Sequence, residues 1–372
     1  MDDKVRIVGV GMVPFRTASR GERPEAMAER AVRAALDDAR LDFDLVDQAI
    51  AGFVDGDIEL GEHALRRIGV SGIPLTGVHT HGASGSLAFF HARQAVLSGE
   101  AECALALGFG ETPSVEGIGQ PAATALQWSV AQIDWLEREL GIGEATLAAI
   151  AVKSRVHARG NPYALLREPI SSADVLASPI VAGRMHELYG SPASCGAAAV
   201  IVCTPRFSGR YGLRDDVVVL ANMMGSDGFS EMDSPVEATA ESRVAMRRLA
   251  EKLYARAGVG PDEIDVAEIH DPCVSNELVL YAALGICAES GIEAFVRSGA
   301  NTYGGKLVVG PSGGLLANGD PAGATGLAQL CELTWHLRGE AGSRQVAGAR
   351  TALQHNGGVA GATSVAILQC AH

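Results

Sequence analysis

Three short motifs set histidine close to glycine or proline, and these are the positions at which the chain could move protons. His79 and His81 stand in H-T-H-G-A-S-G-S, His270 in H-D-P-C, and His355 in Q-H-N-G-G. Imidazole gains and loses a proton near neutral pH, so each motif could supply a general acid or base. His79 and His81 are at strand spacing, which predicts that they face the same way; His81 is either a base or a packed neighbour of the loop. His355 is the strongest titratable candidate, and its alternative is a histidine that only hydrogen-bonds the following glycine turn.

A glycine-dense stretch at 303–326 is the segment around which the rest of the chain is organised. Its glycines cluster around Pro311 and Pro321, which predicts backbone that takes positive φ or closely approaches another group. Leucines then recur at helical spacing, at Leu327, Leu330, Leu333 and Leu337. The pattern predicts a loop over a pocket that leads into a buried helix, whose free N–H groups suit an anionic or oxyanionic group. A Gly/Pro turn system without a ligand is the alternative.

Composition and charge exclude several classes of function. The 372 residues carry a formal net charge of −14 and no basic run, which argues against nucleic-acid binding. No uninterrupted apolar stretch is long enough to cross a membrane, and the N-terminus lacks the layout of a signal peptide. The 7 cysteines have no paired spacing, which indicates reduced thiols, and no metal-binding motif occurs. We therefore expect a cytoplasmic protein that binds neither nucleic acid nor a membrane.

The first part of the chain alternates apolar runs with amphipathic segments. Runs typical of buried strands occur at 5–11, 48–54, 73–80 and 103–110. Helical patterns occur at 25–40 and 87–97. Strand, glycine-containing turn, buried helix and buried strand in succession are typical of an α/β unit with a mostly parallel sheet.

The middle of the chain interrupts this alternation, and the alternation then returns. Residues 111–194 combine tryptophans, prolines and short helical patterns, which predicts a large insertion or lid. After it, strand and helix patterns follow in the earlier order, at 197–204, 217–222, 241–257, 264–270, 276–284, 349–356 and 363–370. We therefore predict a duplicated α/β protein, with one half at 1–110 and 195–204, an inserted loop domain at 111–194, and the second half at 205–372.

The glycine-dense stretch also carries a family signature. Its sequence P-S-G-G-L-x-A-x-G-x-P-x-G-A-T-G, at 311–326, resembles that of the thiolase superfamily and is close to the sterol-carrier-protein type of thiolase. Where that family has G-H-P, this chain has Gly319-Asp320-Pro321. The resemblance implies a thiolase fold, in which duplicated βαβαβαββ halves form a layered α/β/α/β/α sandwich with an inserted loop domain. It also implies a homodimer formed through the sheet edge near 73–80.

The resemblance locates the position of the family's nucleophile, and that position holds glycine. Thiolases carry a cysteine in a C-x-S-G motif before the first central helix, and the matching sequence is G-A-S-G at 82–85. The side chain of Gly82 cannot be acylated, so acyl transfer through a cysteine thioester is not expected. Ser84 and Ser86 are nearby hydroxyls, for which we favour a role in capping the helix.

Two further motifs of the sterol-carrier type are partly preserved. Its H-D-C-F corresponds to His270-Asp271-Pro272-Cys273, so the histidine of an oxyanion site is retained. The family's cysteine position is Pro272, and Cys273 is displaced by one residue, which turns its side chain elsewhere. The family's Q-H-N-x-G is retained as the motif that contains His355. Two histidines that face one small cavity shift each other's ionisation, so we expect one of His270 and His355 to be a neutral base and the other a hydrogen-bond donor.

Backbone groups and one tyrosine complete the set of candidate site residues. By the same resemblance, N–H groups near Gly82, Gly357 and Gly358 form an oxyanion hole, which can persist when side chains are lost. Thiolase-like aldolases use a tyrosine acid, but this chain has Leu316 just before the G-D-P turn. Tyr303, the tyrosine of the glycine-dense stretch, is therefore the candidate for that role.

Together these positions favour chemistry that needs no nucleophile. Aldol or retro-aldol cleavage, or a non-covalent Claisen reaction, needs an oxyanion hole and an acid or base. The lost cysteine and the segment at 337–346 resemble thiolase-like aldolases, which work with a small OB-fold and zinc-ribbon partner subunit. We therefore expect an enzyme that acts on the carbon–carbon bond next to the thioester of an acyl-CoA substrate, without a covalently bound cofactor. The alternatives are a catalytically silent acyl-CoA-binding or scaffolding subunit and an acetyl-CoA acetyltransferase-type enzyme.

Overall fold

The alternating pattern of the sequence becomes alternating strands and helices. The structure, a computed structural model, describes residues 4–17, 22–54, 59–69, 72–112, 120–226, 235–357 and 362–371. The N-terminal half begins with β1 (Arg6–Met12), α1 (Pro24–Ala39), β2 (Gln48–Gly52), α2 (Glu59–Arg66), β3 (Leu75–Val78), α3 (Ser84–Ser98) and β4 (Cys103–Thr112).

The remaining elements follow in two groups. Between β4 and the last strand of the first half lie α4 (Gln120–Leu140), α5 (Glu144–Ala158), α6 (Ser172–Ala177), β5 (Ile180–Ala182) and β6 (Met185–His186). The chain then continues through β7 (Ser194–Cys203), α7 (Pro205–Tyr211), β8 (Val217–Ser226), α8 (Pro235–Ala257), β9 (Val266–Glu268), α9 (Val274–Ala283), α10 (Ile292–Arg297), β10 (Val308–Val309), α11 (Gly314–Asn318), α12 (Thr325–Arg338), β11 (Thr351–Gly357) and β12 (Ala362–Cys370).

The two halves of the chain arrange their strands with the same topology. In the N-terminal half β2 pairs in parallel with β3 and β4, and β7 pairs antiparallel with β4 and β1. In the C-terminal half β9 pairs in parallel with β10 and β11, and β12 pairs antiparallel with β11 and β8. This repeated order confirms the duplicated α/β architecture that the sequence predicts.

A short pairing between β1 and β8 joins the half-sheets. Arg6 lies opposite Val218 and Ile7 opposite Val217, in antiparallel register. The strand order is therefore β10-β9-β11-β12-β8-β1-β7-β4-β2-β3. β3 ends this order, so one of its edges faces no other strand within the described ranges.

Three hydrophobic clusters define the stacking of helices and sheets. α1 covers the outer face of the N-terminal half-sheet, where Val32 belongs to one cluster. Phe89 of α3 and Leu330 of α12 belong to a second cluster, together with residues on the inner faces of both half-sheets. Leu253 of α8 and Leu278 of α9 belong to the third, on the outer face of the C-terminal half-sheet. The layers are thus α/β/α/β/α, as the family resemblance implies.

α12 is the most enclosed helix of the site region. Leu327, Leu330 and Leu333 are fully buried, and burial of each leucine stabilises the fold by about 1.5–3 kcal/mol. The buried polar residues of α12, such as Gln329 and Glu332, have hydrogen-bond or ionic partners, as burial requires. It ends at Gly339, whose left-handed conformation closes the last turn.

The elements between β4 and β7 pack on the C-terminal half of the chain. α4 contacts α8 and α9, and α5 contacts α9, α10 and α11. This segment is the one that the sequence assigns to an insertion. Among the helices that the structure describes, none has the length and apolar content needed to cross a membrane.

Candidate active site

The first turns of the two central helices, α3 and α12, lie against each other. A Cβ added to Gly85 would collide with the carbonyl oxygen of Gly323, so the two backbones touch at these residues. Gly326 of α12 likewise leaves room for the hydroxyl of Ser86 on α3. Only glycine permits such close approaches. The turn before α3 and the turn before α12 therefore open on the same region.

His270 and His355 lie close together at the C-terminal ends of the neighbouring parallel strands β9 and β11. β9 and β11 pair in parallel with Glu268 opposite Gln354, so the residues just beyond lie close together. The main-chain N–H of His270 donates a hydrogen bond of 3.3 Å to Nδ1 of His355. A Cβ at Gly357 would lie 3.6 Å from Cδ2 of His270 and 3.8 Å from Cε1 of His355, so this glycine borders both rings.

A chain of buried polar side chains reaches His270 from the central helices. Gln354 Nε2 donates to Oε1 of Gln329, at 2.9 Å, and to Oγ of Ser86, at 3.2 Å. Ser86 in turn donates its own proton to Oδ1 of Asn356, at 2.9 Å. The amide nitrogen of Asn356 lies 3.2 Å from Nδ1 of His270.

These contacts assign the same tautomer to both imidazoles. Because Ser86 already accepts a hydrogen bond from Gln354, its proton goes to Oδ1 of Asn356, and the Asn356 amide donates to Nδ1 of His270. Nδ1 of His355 accepts from a main-chain N–H. In both neutral rings the proton is therefore on Nε2, and each ring presents a hydrogen-bond donor.

Asp320 provides a carboxylate near the Nε2 donor of His270. It lies in the turn before α12, where its Oδ1 accepts a hydrogen bond of 2.7 Å from the hydroxyl of Thr325. Its Oδ2 lies 3.9 Å from Nε2 of His270, which leaves the two groups close but not directly hydrogen-bonded. The Thr112 hydroxyl holds the same turn by donating to the main-chain oxygen of Asp320.

Burial keeps the two histidines uncharged. It lowers the pKa of His355 to about 3, and the neighbouring His270 adds to that shift. Burial also lowers the pKa of His270, while the charge of Asp320 opposes the change. His355 is enclosed, whereas the side chains of His270 and Asp320 remain 12% and 18% exposed. A ligand can therefore reach the region between His270 and Asp320.

The turn before α3 differs from the prediction in two respects. β3 ends at Val78, so His79 and His81 are not on a strand; His81 has a φ of 47°, and the two exposed rings lie 5.3 Å apart. The expected capping of α3 by serines is also wrong. Ser84 accepts from the N–H of Thr80 and donates to the carbonyl of His81, which closes the turn around Gly82. The other serine of the motif belongs to the buried chain described above.

The prediction that Tyr303 is the catalytic acid is wrong, because its hydroxyl bonds to main-chain carbonyls and not to the histidines. Its hydroxyl donates to the main-chain carbonyl of Arg344, at 2.7 Å, and lies 3.3 Å from that of Pro311. Its ring packs edge-on against His157, with centroids 4.8 Å apart. Burial raises the pKa of Tyr303. The residue ties loops together beside the glycine-dense stretch.

The residues after His270 serve the packing of α9 and α11. Asp271 Oδ1 accepts from the N–H of Leu315, and Pro272 accepts from the N–H of Ser191, both at 2.8 Å. Cys273 begins α9 in a buried position, with its sulfur 3.5 Å from that of Met185. Burial raises the pKa of Cys273, so this thiol is a poor proton donor to the site.

The last glycine of the predicted oxyanion set, Gly358, lies outside the described residues. Of the other two, Gly357 borders the histidines and Gly82 lies partly exposed in the turn before α3. The arrangement thus gathers His270, His355, Gly357 and Asp320, with the first turns of α3 and α12 beside them.

A set of side chains from α5 and the residues that follow it fixes the glycine-dense stretch, and the sequence analysis did not identify it. Lys153, Ser154, His157 and Asn161 bond to the main-chain oxygens of residues 309, 313, 310 and 312, respectively. The signal was present as polar residues recurring on one face of a helical pattern, but nothing in the sequence indicates their target. The segment between β4 and β7 therefore holds the part of the glycine-dense stretch that precedes α11 and Asp320.

A buried carboxyl group lies behind the site. Glu268 accepts from the N–H of Ser312, at 2.9 Å, and lines a small cavity with Gln329, Thr325 and Glu332. Burial raises the pKa of Glu268 to about 8, and the charge of Glu332 adds to this rise. Glu332 itself is paired with Arg344 at 2.7 Å. Glu268 therefore holds its proton at neutral pH and supports the loop as an uncharged acid.

Comparison with known proteins places this site in a family. The sequence family described as "Thiolase, N-terminal domain" matches residues 5–128, and "Thiolase C-terminal domain-like" matches residues 229–370. The human protein "Sterol carrier protein 2" is 38% identical, over 98% of this chain and 71% of that protein. "Benzoylsuccinyl-CoA thiolase subunit BbsB" of Thauera aromatica is 29% identical, over 93% of this chain and 92% of that protein.

Solved structures share the fold. "Ltp2-ChsH2(DUF35) aldolase" superposes with a TM-score of 0.84 and 22% identity, over 99% of this chain and 98% of that chain. A "human mitochondrial 3-ketoacyl-CoA thiolase in complex with CoA" superposes with a TM-score of 0.78 and 16% identity, over 99% and 98% of the two chains. Both the matched sequence families and the duplicated topology agree with the resemblance read from the glycine-dense stretch. The chain belongs to the thiolase superfamily, in the branch of the sterol-carrier-protein-2 thiolases.

Proposed function

We propose that this protein is an enzyme that makes or breaks the carbon–carbon bond next to the thioester of an acyl-CoA, by aldol or retro-aldol chemistry and without an acyl-enzyme. The observation that carries the proposal is the combination of Gly82, which has no nucleophilic atom, with two neighbouring neutral imidazoles, one of which, His270, has its Nε2 3.9 Å from the carboxylate of Asp320. Acyl transfer requires a nucleophile. Enolate chemistry requires donors for an oxyanion and a group that moves a proton.

The two histidines suit the oxyanion of a thioester enolate. In retro-aldol cleavage of a 3-hydroxyacyl-CoA, the electron pair of the bond between C2 and C3 moves onto the thioester as an enolate. The C3 hydroxyl becomes the carbonyl of the departing aldehyde or ketone. Nε2–H of His355 and of His270 are positioned donors in a buried setting, where stabilisation of a developing negative charge is strongest. This assigns donor roles to both rings, instead of one donor and one base.

The proposal includes a substrate class, two kinds of protein partner and the domain boundaries of the chain. The names of the relatives and of the CoA complex support a coenzyme A thioester as substrate. The two-component title of the aldolase structure supports a small partner subunit, and the open edge of β3 supports a homodimer. We also propose that residues 111–194 form an inserted domain and that the protein is cytoplasmic.

Two other functions have an observation in their favour. Replacement of both the family's cysteine, by Gly82, and its G-H-P histidine, by Asp320, favours a silent subunit that binds acyl-CoA or holds a partner. A relative from Methanothermobacter thermautotrophicus named "Acetyl-CoA acetyltransferase" is 33% identical over 90% of each chain, which favours acyl transfer. The ordered donor pair, which neither binding alone nor acyl transfer through Gly82 explains, leads us to prefer the non-covalent enzyme.

Turnover assays separate these three functions. The protein, alone and with a co-encoded small subunit, is incubated with 3-hydroxyacyl-CoA esters, and the free carbonyl product and shortened acyl-CoA are quantified. Release of both products without free CoA supports retro-aldol cleavage. Thiolysis of a 3-ketoacyl-CoA by added CoA supports acyl transfer, and binding without turnover supports the silent subunit.

A further inference from the structure

We propose that Asp320 is the proton-transferring residue of the site, taking the substrate hydroxyl proton in retro-aldol cleavage and returning it to carbon. The proposal rests on the proposed function and adds a catalytic role at a position where the family signature has histidine. The geometry points to Asp320 because its partly exposed Oδ2 lies 3.9 Å from Nε2 of His270 and accepts no hydrogen bond from any residue that the structure describes.

The imidazoles of His270 and His355 are unsuited to be the base. Nδ1 of His355 is occupied by the main-chain N–H of His270, and Nδ1 of His270 is occupied by Asn356. Each remaining ring nitrogen already carries a proton, so neither ring can accept another without breaking a buried hydrogen bond. Breaking one would leave an unpaired polar group in the interior, which is costly.

The other acidic and hydroxyl groups near the site are engaged elsewhere. Glu268 and Asp271 accept from the main chain of the glycine-dense stretch, on the buried side of it. Ser84 donates to the carbonyl of His81, and Tyr303 donates to that of Arg344. Asp320, in contrast, combines partial exposure with an oxygen directed toward His270.

Neighbouring groups hold the Asp320 carboxylate in one orientation. The Thr325 hydroxyl in the first turn of α12 donates to Oδ1, and the Thr112 hydroxyl holds the main chain of the same residue. Oδ2 is thereby kept on the side of His270, 3.9 Å from Nε2. Because 3.9 Å is less than twice a hydrogen-bond length of about 2.7–3.0 Å, a substrate oxygen that lies to one side of the pair can contact both groups.

The proton and electron changes balance within the substrate and Asp320. The carboxylate removes the proton of the C3 hydroxyl, the C3–O bond becomes a carbonyl, and the C2–C3 bond breaks with its electron pair moving to the thioester enolate. The protonated Asp320 then gives that proton to C2, which yields the shortened acyl-CoA and regenerates the carboxylate. In the reverse direction the same carboxylate removes a C2 proton from the acyl-CoA. The cycle requires no external oxidant, reductant or metal.

Asp320→Asn is the direct test, because the amide keeps an oxygen for the Thr325 hydroxyl but accepts no proton. We expect retro-aldol cleavage, and exchange of the C2 protons of acetyl-CoA or propionyl-CoA in D₂O, to fall roughly 10²–10⁴-fold, the usual effect of losing a positioned base. Affinity for the CoA ester, measured by calorimetry, should change only a few-fold. Asp37→Asn, an exposed carboxylate on α1, is the matched control and should behave as wild type.

Chemical rescue separates catalysis from a structural effect. Asp320→Ala leaves a space beside His270, and we expect formate to restore part of the exchange rate in a saturable manner, with acetate and chloride as comparison anions. Wild-type rates in Asp320→Asn, or loss without any rescue in Asp320→Ala that remains folded by circular dichroism, would overturn the role of Asp320. If the wild-type protein performs neither cleavage nor exchange, the proposed function fails, and the role of Asp320 fails with it.

Discussion

The main-chain N–H of His270 donates a hydrogen bond to Nδ1 of His355, and this contact decides what His355 can do. It occupies the one nitrogen through which a neutral imidazole could act as a base, and it leaves Nε2–H as a donor. The same constraint operates on His270 through Asn356. The site therefore combines two donors with one carboxylate, which matches the charges that arise when a thioester enolate forms.

Loss of either histidine should slow the reaction while substrate binding persists. We expect His355→Ala and His270→Ala to lower turnover roughly 10²–10⁴-fold, the range typical of a positioned catalytic group. Affinity for the CoA ester should stay within a few-fold, because the contacts proposed for the rings are with the reacting oxygen and not with the bulk of the ligand. His91→Ala, at an exposed position on α3, is the control. Unchanged rates in both variants would remove the histidines from the mechanism.

The uncharged state of His355 predicts how stability depends on pH. Its pKa is about 3 in the folded chain, below the ordinary value of 6.5, so the unfolded chain binds a proton first as the pH falls. The contribution of neutral His355 to the free energy of unfolding is complete above pH 6.5. It is lost as the pH falls toward 3, by about 1.4 kcal/mol per pH unit. The free energy of unfolding, measured with urea at several pH values between 6.5 and 4.5, should therefore change less with pH in His355→Gln than in wild type. The same dependence of unfolding free energy on pH in both proteins would show that His355 is protonated in the folded chain. His91→Gln provides the control.

Glu268 predicts an effect of opposite sign. Its pKa is raised to about 8, so the fold favours the protonated acid and loses stability as the pH rises from 4.5 toward 8. Glu268→Gln has the same shape and no charge, and its Oε1 can still accept from Ser312. We expect the variant to be more stable than wild type by about 4 kcal/mol at pH 8, with the difference falling to about 1 kcal/mol at pH 5. A variant that is less stable at both pH values would contradict this account.

Most of the fold could be predicted from the sequence because its elements are locally specified. The strand predicted at 103–110 is β4, and the helix predicted at 25–40 is α1, since an apolar run and amphipathic spacing depend on neighbouring residues alone. β10 and α11 were missed because they are very short and lie within the glycine-dense stretch. Their conformation depends on bonds from α5, which is distant in the sequence.

The candidate site could be predicted in membership but not in the roles of its members. The motifs brought His270, His355 and Asp320 into consideration, whereas the tautomer of His270 depends on Ser86 and Asn356, 270 positions apart. No sequence pattern indicates that such residues meet. Tyr303 was selected as a tyrosine near the right loop, and the structure directs its hydroxyl to Arg344. Contacts between segments that are remote in the sequence therefore determine the roles of the site residues, which the motifs alone do not indicate.

Restoring the family's cysteine should not restore the family's reaction. A thiolate requires a neighbouring positive or imidazolium group to lower the pKa of the thiol, and the carboxylate of Asp320 acts in the opposite direction. We expect Gly82→Cys to show no thiolysis of a ketoacyl-CoA by free CoA, measured by loss of the enolate absorbance. The double variant Gly82→Cys/Asp320→His is the fairer trial of the thiolase reaction. Measurable thiolysis by the single variant would contradict the assigned electrostatics of the site.

The most direct test of the central claim is a search for a covalent intermediate under turnover conditions. The wild-type protein is mixed with a short acyl-CoA or a 3-hydroxyacyl-CoA, quenched in acid, and measured as intact protein and as peptides by mass spectrometry. We predict product formation, or deuterium incorporation at C2 in D₂O, with no added acyl mass on any peptide. A stable gain of one acyl group on residues 79–90 would show that the protein forms an acyl-enzyme near Gly82, and it would contradict the non-covalent mechanism.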